Sequence, residues 1–196
     1  MLNLKTYLIR EQVGMFKLTD TYDIYDAVSN QQVATAKEEP PGVVKFLRLL
    51  VNKTLMPTQV NVYETSSGQV AFSIKRGFTF LRARVEVLDS RGTLLGYFKS
   101  KLFSLGGGFY VFNPQDQQVA EVKGDWKGWN FKLIGSAGQE LGTVAKQWAG
   151  LAKEMFSSAD NYVIALADDQ ASTPAGNMLL LAAGLAIDII FKEARG

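Results

Sequence analysis

The chain has 196 residues, 47% of them apolar, which suits a single domain with a sizeable core. Its 21 basic and 19 acidic residues leave a net charge of +2, which argues against a bulk polyanion binder but leaves room for a local basic patch. With no Cys and no His, disulfides, thiolate nucleophiles, cysteine-linked lipids, Cys/His zinc sites and Ser-His-Asp or Cys-His hydrolase chemistry are excluded. Catalysis would fall to carboxylates, Lys, Tyr or an oxygen-ligated metal, and the expectation is a non-enzyme. Met1-Leu-Asn-Leu-Lys5 lacks a basic n-region followed by an apolar h-region, so no signal peptide and a cytoplasmic setting are expected.

In chain order, Tyr7 to Val13 reads as a first strand. A hairpin is then written five times. Tyr22-Asp-Ile-Tyr-Asp26 leads to Val33-Ala34, and Val60-Asn-Val-Tyr-Glu64 leads to Val70-Ala71. Val85-Glu-Val-Leu-Asp89 leads to Leu95-Gly96, Tyr110-Val-Phe-Asn113 to Val119-Ala120, and Phe131-Lys-Leu-Ile-Gly135 to Leu141-Gly142. Ile24, Val62, Val87, Val111 and Leu133 align at steps of 38, 25, 24 and 22 residues. Ser67-Gly68, Arg91-Gly92, Pro114-Gln-Asp116 and Ala137-Gly138 supply tight reversals. Strict alternation, as in Val60 and Val62 around Asn61, gives each sheet one dry and one wet face. Asn161 to Leu166 reads as a last strand.

Two stretches interrupt the repeat. Pro40-Pro41-Gly42 ends a strand, and residues 43–52 read as a short amphipathic helix that either plugs one barrel end or touches a membrane surface. Gly106-Gly-Gly108 lacks the Gly-Lys-Ser/Thr ending of a phosphate loop and reads as a bend.

About twelve antiparallel strands in one domain should close on themselves to remove their edges. A barrel that wide needs something inside it. The 15-residue run Asn177 to Phe191, NMLLLAAGLAIDIIF, is apolar on every face and must be buried in lipid or in protein. As a helix it covers about 22 Å, short of the roughly 30 Å of a bilayer core. It is therefore expected to thread the barrel, with Leu181 and Leu185 in the core. Asp188 would be satisfied near one mouth by a basic neighbour or by staying protonated. The expected fold is a single mainly β (α+β) domain over residues 1–196: a closed twelve-stranded antiparallel barrel around a central hydrophobic helix at 177–191.

Lys75, Arg76, Arg82, Arg84, Lys99 and Lys101 concentrate positive charge on neighbouring strands. Arg82 and Arg84 share one strand face, as do Lys99 and Lys101. Two such pairs would suit a lipid headgroup phosphate or simply form a solvated exterior. The small net charge and the lack of a reading helix argue against nucleic acid. Trp126, Trp129 and Trp148 could anchor at a bilayer interface or pack the barrel.

Lys146-Gln-Trp148 through Gly150, Glu154 and Phe156, then Ala159-Asp-Asn161, then Ile187-Asp-Ile-Ile-Phe-Lys-Glu193 resemble the phospholipid scramblase family in order and spacing. Gly124-Asp-Trp-Lys-Gly-Trp129 and the hairpin series resemble the wider tubby-like group, which includes the LURP-one-related proteins. The resemblance implies a twelve-stranded barrel around a hydrophobic helix. It also implies movement of phospholipid between leaflets in response to calcium or, as in tubby-like relatives, binding of a phosphoinositide-like ligand or a protein partner. The animal family's Pro-rich tail and palmitoylated cysteine cluster do not occur here, so the chain looks like a compact bacterial-type member. It is expected to be monomeric, with no required cofactor, and peripheral on the inner face of the cytoplasmic membrane.

The resemblance maps a calcium segment onto Ser158 to Asp169, with ligand positions at Ser158, Asp160, Tyr162, Ile164, Leu166 and Asp169. Calcium takes six to eight oxygens, and here the carboxylates are Asp160 and Asp169, with Asp168 nearby. Val163 stands where an EF-hand has Gly, and Tyr162 to Ala167 reads as a strand.

Overall fold

The computed structural model describes residues 4–12, 19–40, 42, 44, 56–77, 84–101, 108–125, 129–146, 161–167 and 173–191. The strands are β1 Thr6–Glu11, β2 Thr21–Asp26, β3 Gln32–Glu38, β4 Thr58–Glu64, β5 Val70–Arg76 and β6 Arg84–Asp89. They continue with β7 Leu94–Ser100, β8 Gly108–Phe112, β9 Gln118–Asp125, β10 Asn130–Gly135, β11 Glu140–Ala145 and β12 Asn161–Leu166. Each pairs with its neighbours in sequence, and β1 pairs antiparallel with β12, with Leu8 opposite Val163. The meander therefore closes as a twelve-stranded antiparallel barrel, as the repeat predicts.

Period-two alternation sends Ile24, Val60, Val62, Val85, Val87, Phe98, Val111, Val122, Phe131 and Leu133 inward, all 3% exposed or less. The repeat extends to the backbone. All five hairpins carry a register shift immediately after the aligned residue, at Ile24, Val62, Val87, Val111 and Leu133. All five turns also place one residue at positive φ: Asn30, Gly68, Gly92, Asp116 and Gly138. In three of them a three-residue loop is closed by an i+3 bond to the residue just before it: Gly92 to Asp89, Asp116 to Asn113 and Gly138 to Gly135. A tight turn followed by a left-handed residue leaves one unmatched residue, which is the bulge, and bulges sharpen the twist a barrel needs. The anchoring side chains recur as well. Asp89 Oδ1 accepts from the amides of Arg91 and Thr93, and Asn113 Oδ1 from those of Gln115 and Gln117.

Helix α1, Pro174–Phe191, lies inside the barrel. Leu181, Ala182, Ala183, Leu185, Ala186 and Ile187 are 1% exposed or less, so both flanks of the helix are covered. It begins a turn before the apolar run: Thr173 Oγ1 accepts from the Gly176 amide at 3.1 Å, with Pro174 at the first helical position. Gly184 lets the helix approach β12, since a Cβ there would meet Ile164 Cδ1 at 2.2 Å. Among the described residues no helix is long and apolar enough to cross a membrane.

The helix expected at 43–52 lies outside the described residues except for Val44, which is buried. Trp126, Trp148, Gly106, Arg82, Ser158, Asp160, Asp168 and Asp169 also lie outside them.

Candidate functional site

Alternation on β6, β7 and β8 turns Val85, Val87, Phe98, Phe109 and Val111 into the barrel and leaves Arg84, Lys99, Tyr110 and Phe112 on the outer side, with Tyr97 covered beneath them at 1% exposed. Register brings them together: Arg84 lies opposite Lys99, Tyr97 opposite Phe112, and Lys99 opposite Tyr110. The Tyr97 and Phe112 rings stack with centroids 5.0 Å apart and planes 7° from parallel. The Arg84 guanidinium lies 3.8 Å from the Tyr97 centroid. The Lys99 ammonium sits over both rings, 5.1 Å from Tyr97 and 4.9 Å from Phe112, while Lys101 lies over Tyr110 at 4.8 Å. Contacts of this kind contribute about 0.5–1 kcal/mol each at exposed sites.

The charges differ in how they are neutralised. Arg84 pairs with Glu86 at 3.1 Å, and Lys101 pairs with Glu121, which also meets Lys123 at 3.4 Å. Burial opposes ionisation of Glu121, but the Lys101 and Lys123 interactions overcome it and hold the carboxyl below the ordinary glutamate range. Lys99 meets aromatic rings and, among the described residues, has no carboxylate partner. Tyr97 anchors the platform: its hydroxyl donates to Asp116 Oδ1 at 2.7 Å, and burial together with that bond raises the phenol above its usual value. Asp116 is itself one of the positive-φ turn residues, so the turn chemistry holds the platform.

Lys75 is exposed on the same face, opposite Glu86. Arg76 does not join them. One residue further along β5 it points inward, is 3% exposed, and its guanidinium Nη2 donates to the Met56 carbonyl at 3.2 Å. Sequence reading found the cations and missed the rings beneath them. The Tyr97-x-Lys99-x-Lys101 and Tyr110-x-Phe112 spacings carry that signal, but only once β7 is placed beside β8.

The described part of the mapped calcium segment is strand from Asn161 to Leu166. Its positions at Tyr162, Ile164 and Leu166 belong to β12, where Ile164 lies opposite Tyr7 and Val144, and Leu166 opposite Gly142. Tyr162 and Ile164 point into the core. Among the described residues no three acidic side chains gather to hold a metal.

At the end of the barrel where α1 finishes, Asp188 is 5% exposed. Its partner includes the Tyr22 phenol, which donates to it; a tyrosine here was not foreseen. Burial first, and the Asp188 charge second, push both Tyr22 and Tyr162 well above the ordinary phenol value. Trp129 covers Tyr162, with centroids 5.2 Å apart. This cluster fixes the helix end and faces the interior.

The chain is 22% identical over 196 aligned residues to the altered inheritance rate of mitochondria protein 25 of Saccharomyces cerevisiae, covering 83% of this chain and 58% of that one. It is 24% identical over 139 aligned residues to a phospholipid scramblase family protein of Schizosaccharomyces pombe, covering 65% of this chain and 36% of that one. The chain thus spans little more than half the length of one relative and about a third of the other. No solved structure matches it. The family model described as Scramblase matches residues 9–194, nearly the whole barrel and its axle, and the chain belongs to the Scramblase family.

Proposed function

We propose that this protein binds phospholipid at a membrane face through the outer surface of β6–β8, as a monomeric, non-catalytic, peripheral barrel on the cytoplasmic side. The observation that carries this reading is Lys99, an ammonium held over the Tyr97 and Phe112 rings with no carboxylate partner among the described residues, beside Arg84 and Lys75. The partly exposed rings of Tyr110 and Phe112 suit the headgroup layer. Cations near an anionic leaflet contribute about 1 kcal/mol each and fade within a Debye length. Family membership supports phospholipid as the partner, and one relative carries that word in its name. The burial of α1 in the barrel favours binding over a path through the bilayer, because the most apolar segment is already covered.

The second reading, a tubby- or LURP-like module for a soluble phosphoinositide-like headgroup or a protein, rests on the same buried helix. Vesicle flotation separates the two. Vesicles of phosphatidylcholine alone and with phosphatidylserine are compared, with and without calcium. Lys99→Glu should lower flotation on acidic vesicles several-fold, and 0.5 M salt should do the same to the native protein. Equal flotation of native and Lys99→Glu protein would end the surface reading. A calcium requirement would bring Asp160, Asp168 and Asp169 back as candidate ligands, and dye-quenching across the two leaflets then tests translocation.

A further inference from the structure

We infer that the barrel mouth beside the start of α1 holds a site for a single acyl chain. A cavity of about 200 Å³ opens there between α1 and β8, β9, β11 and β12. Its walls are Val111, Ala120, Leu141, Leu166 and Leu180, with Asn177 as the buried polar group. Thr173, exposed where the helix begins, marks the opening.

The gap has a cause in the repeat. Opposite the five aligned residues stand Ala34, Phe72, Gly96, Ala120 and Gly142. Four of these are the smallest side chains available, so at this level the wall lies back from the helix. Phe72 fills its own sector, and Leu179 fills the one over Gly96, where a Cβ would come within 3.1 Å of Leu179 Cδ1. Among the described residues no large side chain fills the sector of Ala120, and the cavity lies there. Leu179 and Leu180 accordingly keep partial exposure, although every residue from Leu181 to Ile187 is covered.

The ligand class follows from shape and lining. An apolar cavity of about 150 Å³ accepts a benzene, so this one accepts about eight carbons of an alkyl chain. An apolar space between helix and wall, with Thr173 exposed at its rim, fits a methyl terminus inserted first and a headgroup left outside. This deepens the phospholipid reading and rests on it for the choice of an acyl chain, but it uses a different part of the molecule from the Lys99 surface.

The test uses saturated fatty acids from six to fourteen carbons at monomeric concentrations, without vesicles, followed by methyl NMR of the full chain. Affinity should rise about fourfold per methylene to about eight carbons and then level off, with shifts centred on the Val111, Leu179 and Leu180 methyls. Ala120→Leu should weaken binding at least tenfold. If Ala120→Leu fails to fold, the location of the methyl shifts in the native protein decides the matter. No saturable binding, no dependence on chain length, or shifts at other methyls would overturn the pocket. Since flotation of Lys99→Glu is measured separately, loss of the pocket and loss of the surface reading are distinguishable.

Discussion

Single residues set the repeat. Gly92 has φ +81° and nothing within 4 Å of where a Cβ would stand, so only backbone strain opposes a side chain there. Gly92→Ala should cost about 1 kcal/mol, a fall of about 2–4 °C in Tm for a chain of this size, with vesicle flotation unchanged. Gly96 is the converse case. Its φ is not in the left-handed region, but a Cβ would lie 2.5 Å from the Phe112 carbonyl oxygen and 3.1 Å from Leu179 Cδ1. The carbonyl belongs to β8 and cannot move without opening the ladder, so Gly96→Ala should cost about 1–3 kcal/mol, more than Gly92→Ala, by denaturant titration. Two glycines of one hairpin would thus be separated by mechanism. Tyr22 offers a third case, because removing its hydroxyl takes a donor from the buried Asp188 carboxyl. Tyr22→Phe should destabilise by about 1–3 kcal/mol and should leave binding to acidic vesicles intact, since Tyr22 faces the core from β2, five strands from β7 around the barrel.

At the scale of elements, the strands and the helix were legible for different reasons. Each hairpin carries its own alternation and its own turn residue within about a dozen positions, so local sequence defines it, and β12 falls on Asn161–Leu166 as read. The closure of the barrel was legible from the strand number alone. The functional face was legible only in part. Lys75 and Arg76 are adjacent, so period-two alternation must send them to opposite faces, and the parity of Phe72 and Ile74 sends Arg76 inward despite its charge. The stack of Tyr97 on Phe112 depends on the β7–β8 register, which the intervening connection sets and no local pattern reveals. The helix was legible because no other segment could fill the interior, and it makes the sharpest demand on the fold. Leu185 is 1% exposed in the core, so Leu185→Ala should cost about 2–5 kcal/mol. Leu181→Asp places an unsatisfied carboxylate in the same interior, a penalty of several kcal/mol, against a total stability of about 5–15 kcal/mol. It should abolish the cooperative unfolding transition and the near-UV signal. A well-folded Leu181→Asp protein would show that the helix is not the axle.

For the whole molecule, the same groups that close the turns and hold the axle fix the pH range of stability. Asp26 accepts from Ser29 and from the Val28 amide, and these bonds hold its carboxyl below the ordinary aspartate range. The amides of Thr93 and Arg91 do the same for Asp89 against a small opposing effect of desolvation. Glu121 is lowered through Lys101 and Lys123 despite its burial. A carboxyl whose folded value is depressed favours folding above its unfolded value, about 4, and that contribution is lost as pH falls through the folded value. The phenols act at the other end. Burial pushes Tyr7 up to about 12, and Tyr22 and Tyr162 are also raised well above the ordinary phenol value, with Asp188 adding to burial in both. For a raised phenol the unfolded chain loses its proton first, near pH 10. Stability is then fully present below pH 10 and falls as pH rises through the folded values. The two sides differ in kind: the carboxylates sit on turns and on the outer face, while Tyr22 and Tyr162 face the axle. Acid should therefore lower Tm gradually below about pH 4 as turns loosen one at a time. Alkali above about pH 10 should act more steeply, because charging Tyr22 or Tyr162 beside Asp188 drives the helix end out of the barrel. Tm measured from pH 2 to 12 checks this, with tyrosinate absorbance followed alongside. Tyr162→Phe should flatten the alkaline limb and leave the acid limb unchanged. An alkaline limb that keeps its slope in Tyr162→Phe and Tyr22→Phe alike would mean that the axle's own phenols are not what the base attacks.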